Sequence, residues 1–161
     1  MNALLFIVQQ YKRKFMTTIN TYLTFKGNCE EAFNFYKNAF GGDFTYVGRF
    51  KDMPQNDPNC KVDDSELNNI MHISFPIGNT MLMGSNAGGE WAKGVTVGNN
   101  FSVSINTDSQ KEADRLFNVL SANGKVSMPM NTTFWGSYFG MFTDQFGIQW
   151  MISFDANPKG K

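Results

Sequence analysis

Two stretches of this chain repeat one pattern at a fixed distance. Ala32, Phe35, Tyr36 and Ala39 are followed 81 positions later by Ala113, Leu116, Phe117 and Leu120. Each set has the i, i+3, i+4, i+7 spacing that lays an apolar stripe along one side of a helix. Each is preceded at the same offset by a helix-start signal, Asn28-Cys29-Glu30-Glu31 and Ser109-Gln110-Lys111-Glu112. In both, the first side chain is expected to accept from a first-turn N–H, while the glutamate three residues on reaches back. A repeated helix with a single greasy stripe predicts a repeated structural unit. Ligand pockets favour the places where such units meet.

The flanking patterns complete the unit. Ile19–Phe25 alternates apolar and polar residues, as a half-buried strand does. The helix Cys29–Phe40 is expected to stop at Gly41-Gly42, where positive φ has no steric cost. Asp43–Phe50 reads as a strand, Lys51–Leu67 as a long loop, and Asn69–Ile77 with Thr80–Ser85 as a strand pair turning at Gly78-Asn79. The second unit repeats this order with strand Phe101–Asn106, helix Gln110–Ala122 and strands Lys125–Asn131, Ser137–Thr143 and Gln149–Phe154. The expected fold class is α+β, two paired β-α-β-β-β modules whose curved mixed sheets surround a cleft, with helices on the outer face. The modules span 17–86 and 99–155, joined by a glycine-rich linker at 87–98. Residues 156–161 read as a loose tail.

Residues 1–16 read as an extension upstream of the domain. Its apolar run Leu4–Val8 is too short to span a bilayer. Lys12, Arg13 and Lys14 follow that run, the reverse of a secretory signal. Acidic and basic side chains balance at 14 each among 161 residues, which argues against nucleic acid and membrane surfaces as partners. Two cysteines, Cys29 and Cys60, make no disulfide framework and no C-x-x-C pair, and point to a reducing, cytoplasmic compartment. Cys29 at a helix N-terminus is either a thiol of lowered pKa or a bystander.

Three strings carry a family resemblance. They are Tyr22-Leu-Thr-Phe-Lys-Gly-Asn-Cys-Glu-Glu-Ala-Phe-Asn-Phe-Tyr36, Ile70-Met-His72 and Phe134-Trp-Gly-Ser-Tyr-Phe-Gly-Met-Phe-Thr-Asp-Gln-Phe-Gly-Ile-Gln-Trp150. With the paired modules, they resemble the PhnB-like branch of the vicinal oxygen chelate superfamily. That superfamily includes glyoxalase I, bleomycin-resistance proteins, fosfomycin-resistance enzymes and extradiol dioxygenases. The resemblance covers Thr17 to Phe154 and implies a homodimer, with modules pairing within or across chains. It also implies metal ligands on the first and last strands of each module, and these positions fall near Tyr22, Leu82, Ser102 and Met151. Neither they nor their neighbours supply a carboxylate or imidazole, which a divalent ion needs. The expectation is therefore no metal and no cofactor. PhnB-like proteins also bear a 3-demethylubiquinone methyltransferase label. No glycine-rich strand-to-helix turn with an acidic ribose partner is visible to support that chemistry.

His72 is the only histidine in the chain. Strand alternation places Ile70, His72 and Ser74 on one side and Met71, Ile73 and Phe75 on the other, directing His72 into the cleft. It reads either as a general acid/base or as an imidazole that satisfies polar neighbours. Phe134, Trp135, Tyr138, Phe139 and Trp150 are expected to form an aromatic cluster, with Trp91 as a lid. With the polar groups Tyr22, Thr24, Ser102 and Ser104, they would suit a small aromatic or apolar ligand. Ten methionines could add an adaptable lining. Three functions remain open: metal-independent small-molecule binding, an enzyme using His72, and a non-catalytic dimeric scaffold.

Overall fold

A computed structural model describes residues 18–54 and 62–156. The N-terminal extension, Cys60 and the tail beyond 156 lie outside the described residues. The elements are β1 (Thr21–Phe25), α1 (Cys29–Phe40), β2 (Tyr46–Arg49), β3 (Ile70–Ile77), β4 (Thr80–Asn86), a single-turn α2 (Trp91–Gly94), β5 (Val103–Asn106), α3 (Gln110–Leu120), β6 (Lys125–Thr132), β7 (Tyr138–Thr143) and β8 (Gln149–Phe154). They form two four-stranded mixed sheets, ordered β1-β4-β3-β2 and β5-β8-β7-β6, so both modules have the same topology. In each, the first strand runs parallel to the last and the other pairs are antiparallel. Among the described residues, no helix is long and apolar enough to cross a membrane.

The repeated stripes bury as their spacing requires. Ala32, Tyr36 and Ala39 of α1 are buried, as are Ala113, Leu116, Phe117 and Leu120 of α3. Phe35 is half-buried against the same core. Gly41 ends α1 at φ 74°, and its N–H donates to the Lys37 carbonyl. The two helix starts differ. Ser109 has the extended backbone a cap needs, and its hydroxyl accepts from the Glu112 N–H at 3.3 Å. Asn28 is not extended and makes no side-chain cap. Buried Asn86, at the end of β4, accepts from the N–H groups of Gly27 and Cys29 instead, each at 3.0 Å. Glu112 does not reach back to its cap; it pairs with Arg115.

Phe33, outside the repeated pattern, is fully buried. It sits over Gly84 of β4, where an added Cβ would lie 2.6 Å from the Phe33 ring and 2.9 Å from the Leu23 carbonyl oxygen. Gly84→Ala is expected to cost about 1–3 kcal/mol by overpacking. Urea denaturation would measure it as a lower midpoint with an unchanged slope.

One core runs through both modules. Helix α1 packs on β3 and β4 of its own sheet and also against α3. Tyr36 and Phe40 meet the Trp150 ring of the second sheet, while Phe35 meets Phe146. The helices therefore lie at the junction between modules. The opposite sheet faces carry exposed Tyr22, Tyr46 and Met128. The expected α+β class, two paired β-α-β-β-β modules of curved mixed sheets, is the architecture observed, and α1 buries one side on its own sheet and another against Trp150 of the second.

Candidate functional site

A cavity of about 440 Å³ opens where the two modules meet. Its walls come from both. Thr21 and Leu82, paired neighbours on β1 and β4, face Val103 and Ile105 of β5, with Phe40 and Trp150 behind. Asn79, Thr80, Ser104 and Asn106 supply polar groups around the apolar surface. β1 and β5 are the edge strands of their sheets, so the cavity is a groove beside two strand edges.

A lock beside this groove fixes the modules together. Asp144 is buried at 4 % exposure in the β7–β8 turn. One carboxylate oxygen accepts from the Phe146 and Ile148 N–H groups at 2.8 and 2.9 Å, closing the turn. The other accepts from the Tyr36 hydroxyl at 2.8 Å and the Trp150 indole N–H at 2.9 Å. Burial, with the Asp144 charge beside it, pushes the Tyr36 hydroxyl well above the usual tyrosine range. Tyr36 is therefore a neutral donor at every working pH. The Asp144-to-Trp150 part of the third string is thus architectural.

The open face of the first sheet holds a second constellation. The His72 Nε2 lies 2.9 Å from the Ser74 hydroxyl, and its Nδ1 lies 3.3 Å from the Tyr22 hydroxyl. Tyr22 stacks on the imidazole, ring centroids 5.7 Å apart and 26° between planes. Tyr46 flanks it at the same separation, tilted by 43°. Gly48 faces His72 across β2 and β3, and a Cβ there would come 2.7 Å from the Tyr46 hydroxyl. That missing side chain is what admits the Tyr46 ring. Sequence reading did not select Tyr46 or Ser74. An aromatic residue two positions before a strand glycine was the available signal for Tyr46.

The expected side of Ile70 is corrected by the same strand pair. Ile70 is fully buried, sharing the helix side with Ile73 and Phe75 rather than the face of His72. Between Gly48 and Arg49 the partner on β3 jumps from His72 to Ile70, a bulge that inverts the alternation.

The remaining expected site residues scatter. Thr24 shares the open face of β1 with Tyr22 and is exposed. Ser104 borders the groove, while Ser102 precedes β5 and is absent from the groove lining. Leu82 is buried toward the helix; Met83 pairs with Tyr22. Trp150 is 1 % exposed, a wall of the groove rather than part of an open aromatic cluster. The Tyr138 hydroxyl donates to Asp114 of α3 at 2.7 Å, which turns it away from the other rings. Phe134, Trp135 and Phe139 do form an edge-to-face chain. Phe134 is almost fully exposed at the β6–β7 turn, and Trp91 stands exposed on α2.

The ligand set implied by the fold does not fit a divalent metal here. No residue paired between the first and last strands of either module, Tyr22 with Met83 and Ser104 with Met151 included, offers a carboxylate or imidazole. Among the described residues, no three His, Cys, Asp or Glu side chains are placed to hold a metal ion.

Cys29 is fully buried, and burial pushes its thiol from near 9.0 up to about 12, with Glu30 adding to the rise. It is not an activated thiol. In a Cys60→Ser background, the remaining thiol should react with a disulfide reagent only after denaturant unfolds the chain. The raised value also sets a sign. Above about pH 9 the unfolded thiol loses its proton while the folded one keeps it, so this group's contribution to stability falls as pH rises toward 12. Cys29→Ala should flatten that part of the stability profile.

The chain has clear relatives. The family profile described as 3-demethylubiquinone-9 3-methyltransferase matches residues 17–153. Protein YjdN of Escherichia coli strain K12 is 32% identical over 143 residues, spanning 84% of this chain and 93% of its own length. Protein PA1353 from Pseudomonas aeruginosa is 38% identical, with a TM-score of 0.74, over 86% of this chain and 98% of that one. A PhnB protein from Bacillus cereus shares the fold at 23% identity and a TM-score of 0.62, over 86% and 99% of the two chains.

Proposed function

Since the chain belongs to the 3-demethylubiquinone-9 3-methyltransferase family, a PhnB-like branch of the glyoxalase and bleomycin-resistance superfamily, we propose that it binds a compact aromatic or apolar molecule between its two modules without a divalent metal. The inter-module groove carries this reading. Its volume of about 440 Å³ lies in the range of small-molecule sites. Its lining mixes apolar side chains (Leu82, Val103, Ile105) with polar ones (Thr80, Ser104, Asn106), the combination that fixes and orients a small ligand. The donor set supports metal independence, because methionine, serine and tyrosine cannot replace a carboxylate and imidazole set. The methyltransferase label is a family description, and no chemistry follows from it here.

A homodimer belongs to the same reading. Among the described residues, β1 and β5 each present one unpaired edge beside the groove, and native proteins cover such edges. A second copy against them would roof the groove. Light scattering should give a mass of two 18.2 kDa chains, and a monomer at micromolar concentration would contradict the pairing.

A melting-temperature screen with one- and two-ring aromatic compounds, run with EDTA present, tests the binding claim. A ligand that prefers the native state at 100 times its dissociation constant adds about 2.7 kcal/mol, a shift of several degrees. A broad panel without a single stabilising member would contradict it. The Tyr22–His72–Ser74 chain favours a second reading, an enzyme in which His72 acts as acid or base. Loss of turnover in His72→Ala with ligand binding retained would select that reading.

A further inference from the structure

We propose that Ser74 is a nucleophile activated by His72, and that the open face of the first sheet hydrolyses esters of aromatic alcohols. This goes beyond ligand binding in the groove and uses a different face of the molecule. The geometry is that of a hydroxyl–imidazole pair. Ser74 and His72 lie two positions apart on β3, so both side chains leave the same side of the sheet. Their 2.9 Å separation places the hydroxyl within proton-transfer reach of Nε2. When Nε2 accepts, Nδ1 carries the ring's proton and donates it to the Tyr22 oxygen at 3.3 Å. Tyr22 is thus a positioning residue, holding the imidazole in the tautomer that can take the serine proton.

The surroundings supply a substrate class. Tyr22 and Tyr46 are about half exposed and lie against opposite parts of the imidazole, forming a three-ring aromatic wall. A flat aromatic leaving group can stack on such a wall. Strand pairing fixes the nucleophile, since the Ser74 carbonyl accepts from the Thr45 N–H at 2.9 Å.

The reaction balances without metal or redox partner. The Ser74 oxygen bonds to the ester carbonyl carbon while its proton passes to His72 Nε2. The carbon–oxygen bond to the aromatic alcohol breaks, and that oxygen takes the proton from Nε2. Water then attacks the acyl-serine, giving His72 a proton that returns to Ser74 as the acid leaves. The products are one carboxylic acid and one aromatic alcohol.

Intact-mass spectrometry after exposure to an alkyl fluorophosphonate tests the nucleophile, and release of 4-nitrophenol from 4-nitrophenyl acetate tests the turnover. The expected result is one adduct that maps to Ser74, is absent in Ser74→Ala, and forms at least 10-fold more slowly in His72→Gln. Tyr22→Phe keeps the ring stack and removes only the hydroxyl. It should slow the adduct and shift the imidazole nitrogen resonances of the single histidine toward the other tautomer, with the melting temperature unchanged. Failure to label, or equal labelling and turnover in folded Ser74→Ala, would overturn the proposal. Stabilisation of Ser74→Ala by groove ligands is read separately, so loss of either claim leaves the other measurable.

Discussion

Asp144→Ala should unfold in urea at a far lower concentration than the parent protein. The substitution removes the acceptor for four donors at once, two of them on buried side chains, Tyr36 and Trp150. Each buried donor left without a partner costs about 1–3 kcal/mol, so the total expected loss is about 3–5 kcal/mol, or roughly 6–20 °C in melting temperature. Graded variants separate the parts. Asp144→Asn keeps one oxygen for the turn but presents an NH2 to the Trp150 N–H, so its loss should be intermediate. Tyr36→Phe removes one donor and leaves the carboxylate three others. It should cost about 1.5–3 kcal/mol, as hydrogen bonds to charged acceptors do. A loss below about 1 kcal/mol in Asp144→Ala would mean that apolar packing alone joins the modules.

Val103→Phe should abolish the thermal shift given by a groove ligand. Val103 faces the cavity from β5 and is only partly buried, so a larger ring has room to enter without displacing the core. Filling the space removes the ligand's apolar contacts and raises the dissociation constant by at least 10-fold. The variant should melt close to the parent in the absence of ligand. If Val103→Phe left the shift intact while a substitution at Tyr46 removed it, the ligand would sit on the His72 face instead.

The sequence patterns carried the architecture well and the site less well, for physical reasons that differ by residue. The stripes Ala32–Ala39 and Ala113–Leu120 were legible because helical periodicity is local and burial follows it. The missing cap at Asn28 was not, because capping depends on a backbone angle that Asn86 of another strand helps to set. Ile70 was misplaced because a bulge is a property of two paired strands, and one strand alone does not display it. Asp144 falls in the short gap between the strands Ser137–Thr143 and Gln149–Phe154, yet its bond to Tyr36 crosses 108 positions. The same limit explains Trp150. Its aromatic character was plain, whereas its burial depended on where α1 of the other module packs. The groove itself arises from that packing, so sequence could point to a junction between modules but not to its lining.

Methyl-resolved NMR of the groove during titration with 2-naphthol, in the presence of EDTA, decides whether the inter-module groove takes an aromatic ligand without a metal. Saturable shifts are expected on the methyl groups of Leu82, Val103 and Ile105, identical with and without the chelator. Shifts confined to the face around His72, shifts that vanish with EDTA, or no saturable shift would contradict metal-free binding in the groove.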